Sequence, residues 1–133
     1  LDSFATGLHY LIFYMLVVTA IFLIGLVIYT KLTPHKELEL VQKGNMAAAI
    51  HFSALILSLT IPLAACLVKR FSLFDVAIWG TTSMFLQLFL FRLTDAIFKG
   101  MPQRIVNNET APAVVLAAFK IAGSILLAFA IAG

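Results

Sequence analysis

Lys120, His51, Asp95, Arg92 and Gln87 are polar side chains embedded in otherwise apolar runs, and any chemistry this chain performs is expected to pass through them. Lys120 is the most informative. It stands about ten residues into its run, which places its Cα about 15 Å deep at the rise of an α-helix. A lysine near a bilayer centre costs at least about 2.5–3.5 kcal/mol and is rarely left facing lipid. Its neighbours at helical spacing are Ala113, Leu116, Ala117, Gly123 and Ser124, a face of small residues that lets helices approach closely. The ammonium is therefore expected to face a protein interior or an aqueous cavity. It would act either as a structural charge satisfied by carbonyls, by Asp95 or by snorkelling, or as part of an ion or substrate pathway. His51 shares its helical face with Ala47, Ala54, Ser58 and Pro62, which suits a hydrogen-bonded packing residue or a proton relay. Gln87 lies with Gly80, Ser83 and Thr94 roughly along one side of a third run. Arg92, Asp95 and Lys99 follow at three- and four-residue spacing, the pattern of an interfacial salt-bridge cluster or of a gate. Asp95 is the acidic residue expected to approach Lys120 from a neighbouring helix.

Other chemistries find no support. The single Cys66 cannot form an internal disulfide and reads as a small packing residue. His9 and His51 are isolated and fall towards opposite faces of the membrane, so neither metal nor haem binding is expected. There is no phosphate-cradling glycine loop, no paired-cysteine motif and no nucleophile–base constellation, and the loops are too short for a soluble active site. The reading is of a protein that is not an enzyme and carries no cofactor.

The elements that must position these residues follow from composition. The chain is 62% hydrophobic and only 11% charged, against about 45–50% and about 25% in soluble domains. A water-soluble fold of this size could not bury so much apolar surface. Four runs are long enough for the ~20 residues that cross a bilayer as helix: Phe4–Thr30, Met46–Val68, Leu73–Phe98 and Thr110–Gly133. Unpaired backbone groups in lipid exclude an open sheet. The first run is too long, and lacks the basic start, for a cleaved signal peptide; the first residue is not Met, so the expectation is that the true N-terminus precedes it. Pro62 should kink the second helix and free the carbonyl near Ser58. Tyr10, Tyr14, Tyr29 and Trp79 read as interface anchors or packing residues.

Lys69-Arg70-Phe71-Ser72 is a tight basic turn. The two longer connections lie on the opposite side. In residues 31–45, Thr33-Pro34 resembles an N-cap followed by Pro at the first helical position. Leu38, Leu40 and Val41 then give a short amphipathic surface helix ended by Gly44. Met101-Pro102 starts a shorter equivalent. Lys31, Lys36, Lys43, Lys99 and Arg104 on the two-loop side outnumber Lys69 and Arg70, so the positive-inside rule puts the two loops in the cytoplasm and both termini outside. The net charge of +3 thus suits anionic headgroups, and no nucleic-acid partner is expected.

The chain reads as two related hairpins, residues 1–68 and 69–133, forming a single all-α domain of four transmembrane helices. Asn45-Met46-Ala47-Ala48-Ala49-Ile50 opens one return helix and Glu109-Thr110-Ala111-Pro112-Ala113-Val114 the other. Each is preceded by an aromatic residue, a lysine and a proline: Tyr29, Lys31 and Pro34, then Phe98, Lys99 and Pro102. With Ile61-Pro62-Leu63 and Asn108-Glu109-Thr110-Ala111, these stretches make nearly the whole chain resemble the domain-of-unknown-function-350 family, the small bacterial membrane proteins of the YjfL type. The resemblance implies a bacterial inner-membrane protein without an assigned activity, with some relatives linked to envelope-stress, phage-shock-like or polyamine-related genes. It supplies no catalytic residues. Glu109 and Pro112 stand where the first copy has Asn45 and Ala48.

Two functions are compatible with these features. The first is a homo-oligomeric scaffold, serving the envelope-stress response, that contacts a cytoplasmic or membrane protein partner or lipid headgroups through Lys31, Lys36, Lys43, Lys99 and Arg104. The second is a small oligomeric ion or proton channel or transporter, its pathway lined by Lys120, His51 and Asp95. The stress-linked relatives tilt the expectation towards the first.

Overall fold

The computed structural model describes residues 2–32, 37–69, 72–98 and 100–133, with the side chains of Asp2, Leu32, Met101 and Pro102 left aside. Thr33, Pro34, Lys36, Arg70 and Lys99, to which the sequence assigns cap or basic roles, lie outside the described residues. The described chain is helical: α1 Asp2–Leu32, α2 Glu37–Gln42, α3 Met46–Val68, α4 Leu73–Ile97, α5 Met101–Val106 and α6 Thr110–Ala132. α1, α3, α4 and α6 are each long and apolar enough to cross a membrane. At 31 residues, α1 is longer than a perpendicular crossing requires. Phe4, Phe74, Phe85, Phe89, Leu126 and Phe129 are all exposed, which is a liability in water and a lipid-facing surface in a bilayer.

The return helices α3 and α6 form the closest pair, and α1 packs chiefly on α4. Close approach in that second pair depends on Gly25, where a Cβ would collide with the Met84 side chain. Tyr29, Leu55, Leu59, Leu63, Met84, Leu88 and Phe91 make one core between α1, α3 and α4. A second core, near the two loops, joins Ala47 and Ala48 to Ile105, Ala113 and Leu116. Pro62, inside α3, lacks the donor that would have met the Ser58 carbonyl. Ser124 Oγ donates to that carbonyl at 2.6 Å, so the freed acceptor ties α3 to α6.

The two junctions that feed α3 and α6 are clamped to each other. Asn45 accepts from Ala48 N at 2.9 Å, capping α3, while its Nδ2 donates to the Ile105 and Val106 carbonyls at 3.0 and 3.1 Å. Asn108 Oδ1 returns the contact by accepting from Ala47 N at 3.1 Å. Orphan donors and acceptors at helix ends are thus satisfied across the hairpins, fixing the register of α3 against α6.

Candidate functional site

That register brings His51 and Lys120 together. Lys120 has its Cα about ten residues into α6, but helical side chains lean towards the helix N-terminus. Its ammonium therefore lies nearer the two loops than the bilayer centre expected for it, among residues in the loop-side turns of α1, α3 and α4. Lys120 Nζ contacts His51 Nε2 at 2.8 Å and Asp95 Oδ1 at 2.9 Å, and donates to the Tyr29 hydroxyl at 3.2 Å. Among the described residues no directed hydrogen bond reaches Asp95 Oδ1, so its contact with Lys120 is an ion pair held by proximity. The Tyr29 and Phe91 rings lie 5.4 and 5.3 Å from the same nitrogen, within cation–π range, and pack edge-to-face on each other at 5.8 Å.

The network continues beyond Lys120. On its other ring nitrogen, His51 Nδ1 lies 2.9 and 2.8 Å from the two carboxylate oxygens of Glu37. Glu37 opens α2, and is itself buried. Donor and acceptor inventories assign the tautomer: an ionised carboxylate only accepts and an ammonium only donates, so His51 carries its proton on Nδ1 and accepts at Nε2. The result is an unbroken chain Glu37–His51–Lys120–Asp95 drawn from α2, α3, α6 and α4. The Lys120 side chain has no exposure, whereas Asp95 keeps 16%; the Asp95 end is the more exposed one. Among the described residues no three metal-ligating side chains converge.

Three of the five candidates, Lys120, His51 and Asp95, are therefore brought together. Gln87 is buried on the same row of α4 as Phe91 and Asp95, two turns further from the loops. Arg92 is exposed. Asp95 pairs with Lys120 in the buried site, while Lys99, the third member of the cluster expected with Arg92, lies outside the described residues. Lys31, Lys43 and Arg104 are exposed on the two-loop side, Arg104 paired with Glu109 at 3.1 Å. Glu37 and Tyr29 complete the site and were not singled out for it by the sequence. Their only sequence signal is a position within a turn or two of the loop that closes over the two-loop side of the bundle.

The sequence model described as Domain of Unknown Function (DUF350) matches residues 3–131. This chain belongs to that family. It is similar to the UPF0719 inner membrane protein YjfL of Escherichia coli K12, with 31% identity over 112 residues, 84% of this chain and 85% of that protein. The same protein of Escherichia coli O157:H7 is equally similar. No solved structure matches. Within the family, the site described above is a property of this chain's own geometry.

Proposed function

We propose that this DUF350 protein handles protons in a bacterial inner membrane, holding and passing them along the chain Glu37–His51–Lys120–Asp95. The observation that carries the reading is the length of that chain. Compensating one buried lysine requires one carboxylate, which Asp95 supplies at 2.9 Å. A neutral histidine and a second, deeply buried carboxylate go beyond charge compensation, and each link is short enough for proton transfer. In the proposed step Lys120 gives a proton to His51 Nε2 as His51 Nδ1 gives one to Glu37. Lys120 becomes a neutral amine, His51 changes tautomer and Glu37 becomes a carboxylic acid. Two charges are cancelled in a low-dielectric interior, and Asp95 is left as the charged group of the chain, ready to attract the next proton towards Lys120.

The relative's name supplies the inner membrane, and the positive-inside rule, applied to Lys31, Lys43 and Arg104, turns the two-loop side to the cytoplasm. Asp95 is then the end of the chain that exchanges with the cytoplasm. The role requires no covalent catalysis and no cofactor. The competing reading is a scaffold acting through the exposed basic residues Lys31, Lys43 and Arg104.

The experiment is proton flux into proteoliposomes of purified protein, followed with an entrapped pH-sensitive dye under an imposed potential. Wild-type protein should dissipate the gradient severalfold faster than empty liposomes, and Lys120→Met and His51→Leu should return the rate to that background. Charge neutralisation at Lys43 and Arg104 should leave it unchanged. Wild-type flux equal to that of empty liposomes overturns the proposal.

A further inference from the structure

We propose that the middle of the bundle holds bound water, one or two molecules bonded to the side-chain amide of Gln87 and the hydroxyl of Ser58. Both side chains are essentially inaccessible from outside. Among the described residues, neither Gln87 Oε1, nor Gln87 Nε2, nor Ser58 Oγ has a hydrogen-bond partner. The Ser58 carbonyl is already taken by Ser124, and Ser83 turns its hydroxyl back onto Gly80. Three polar atoms thus remain at one level of the membrane. Gln87 stands about 15 Å from the loop-side end of α4 and Ser58 about 18 Å from that of α3, at the helical rise. Polar atoms this deep are rarely left unpaired.

The donor set selects the ligand. An amide oxygen accepts, an amide nitrogen donates and a hydroxyl does both, which matches water, whose buried molecules typically make two to four hydrogen bonds. A cation is disfavoured by the Lys120 ammonium one to two turns nearer the loops, and among the described residues an anion finds no positive group at this level. The inference deepens the proton-handling reading and rests on it for its meaning. The chain from Glu37 to Asp95 lies across the loop-side end of the bundle and gives no direction through the membrane. Water at Gln87, one turn beyond Phe91 on the row that carries Asp95, extends the polar column from Lys120 towards the opposite face. The ring of Phe91 stands between the two.

The test is solid-state NMR of the full chain in lipid bilayers with 15N-labelled glutamine, measuring the build-up of polarisation from water to each side-chain amide. Gln42 and Gln103, on the exposed loop helices, serve as hydrated references. Gln87→Leu identifies its resonance, and if that variant does not fold, Gln87→Asn does so. Gln87 is expected to build up nearly as fast as the references despite its burial, and Ser58→Ala, a small change in a helix, to slow it severalfold. Build-up at Gln87 as slow as that of the dry apolar core overturns the inference, as does fast build-up that Ser58→Ala leaves untouched. Because the readout contains no flux, loss of the proton-handling reading and loss of the water site are separate results.

Discussion

The junctions that lead into α3 and α6 are built on the same backbone and used for different ends. Both short helices stop at a residue with positive φ, Gly44 at 87° and Asn108 at 61°. Gly44 N bonds Val41 O and Asn45 N bonds Leu40 O, each at 2.9 Å; Asn108 N bonds Ile105 O at 2.9 Å and Glu109 N bonds Arg104 O at 3.0 Å. Over this scaffold the side chains diverge. The first short helix lays the Glu37 carboxylate on His51. The second buries Ile105 between the alanines of α3 and α6. Asn45 caps its helix and reaches across to α5, whereas Glu109 makes no cap and pairs with Arg104 in the open. One junction thus delivers charge to the interior, while the other supplies the apolar wedge that holds α3 against α6.

The largest effect is expected where the delivered charge meets its partners. Asp95→Asn leaves Lys120 without its counter-ion and should destabilise the protein by about 3–5 kcal/mol, the usual cost of breaking a buried pair from one side. Adding Lys120→Met should recover much of that loss, because the uncompensated charge is gone. Both are read from unfolding midpoints in mixed detergent. Full additivity of the two changes would break the pairing. Next comes Asn45→Ala, which removes a cap worth about 0.5–2 kcal/mol and takes the side-chain donor from the carbonyls of Val106 and Ile105, of which Ile105 keeps its bond from Asn108 N. A total of ~2–4 kcal/mol is expected, the desolvated Val106 carbonyl adding to the lost cap. The same measurement on Asn108→Ala should give less, since among the described residues that side chain accepts one bond, from Ala47 N.

How far this was legible in the sequence depends on cost. Four spanning helices follow from composition, because nothing but lipid accommodates runs such as Phe4–Thr30. Lys120, His51 and Asp95 announce themselves for a related reason: a charge or imidazole in an apolar run must be met by something. The end of α2 was visible in Gly44. Glu37 was not, because an acidic residue in the first turn of a short amphipathic helix is already explained by the helix dipole. Tyr29 was not, because a tyrosine near the end of a span is already explained as an interface anchor. Each residue had a sufficient local reason, and only the packing of α2 and α1 over His51 and Lys120 reveals the second one. Pro62 lies between these cases: its freed carbonyl was predictable, its partner Ser124 was not.

Smaller changes sharpen the contrast between the junctions. Gly44→Ala forces a Cβ into the left-handed region and should cost about 1–2 kcal/mol, although space around Gly44 is open. Asn108 already occupies that region, so Asn108→Gly relieves backbone strain while losing the bond to Ala47 N. The two effects oppose, and the net change should fall within about 1 kcal/mol. Glu109→Gln should be the mildest, at most about 1 kcal/mol, because its pair with Arg104 is roughly half exposed on both sides. Raising salt should shrink that small difference further, as it does for any pair that water reaches, while leaving the penalty of Asp95→Asn nearly intact. A Glu109→Gln penalty that matched Asn45→Ala and ignored salt would mean that the second junction also carries buried charge, and the division of labour between the two would fail.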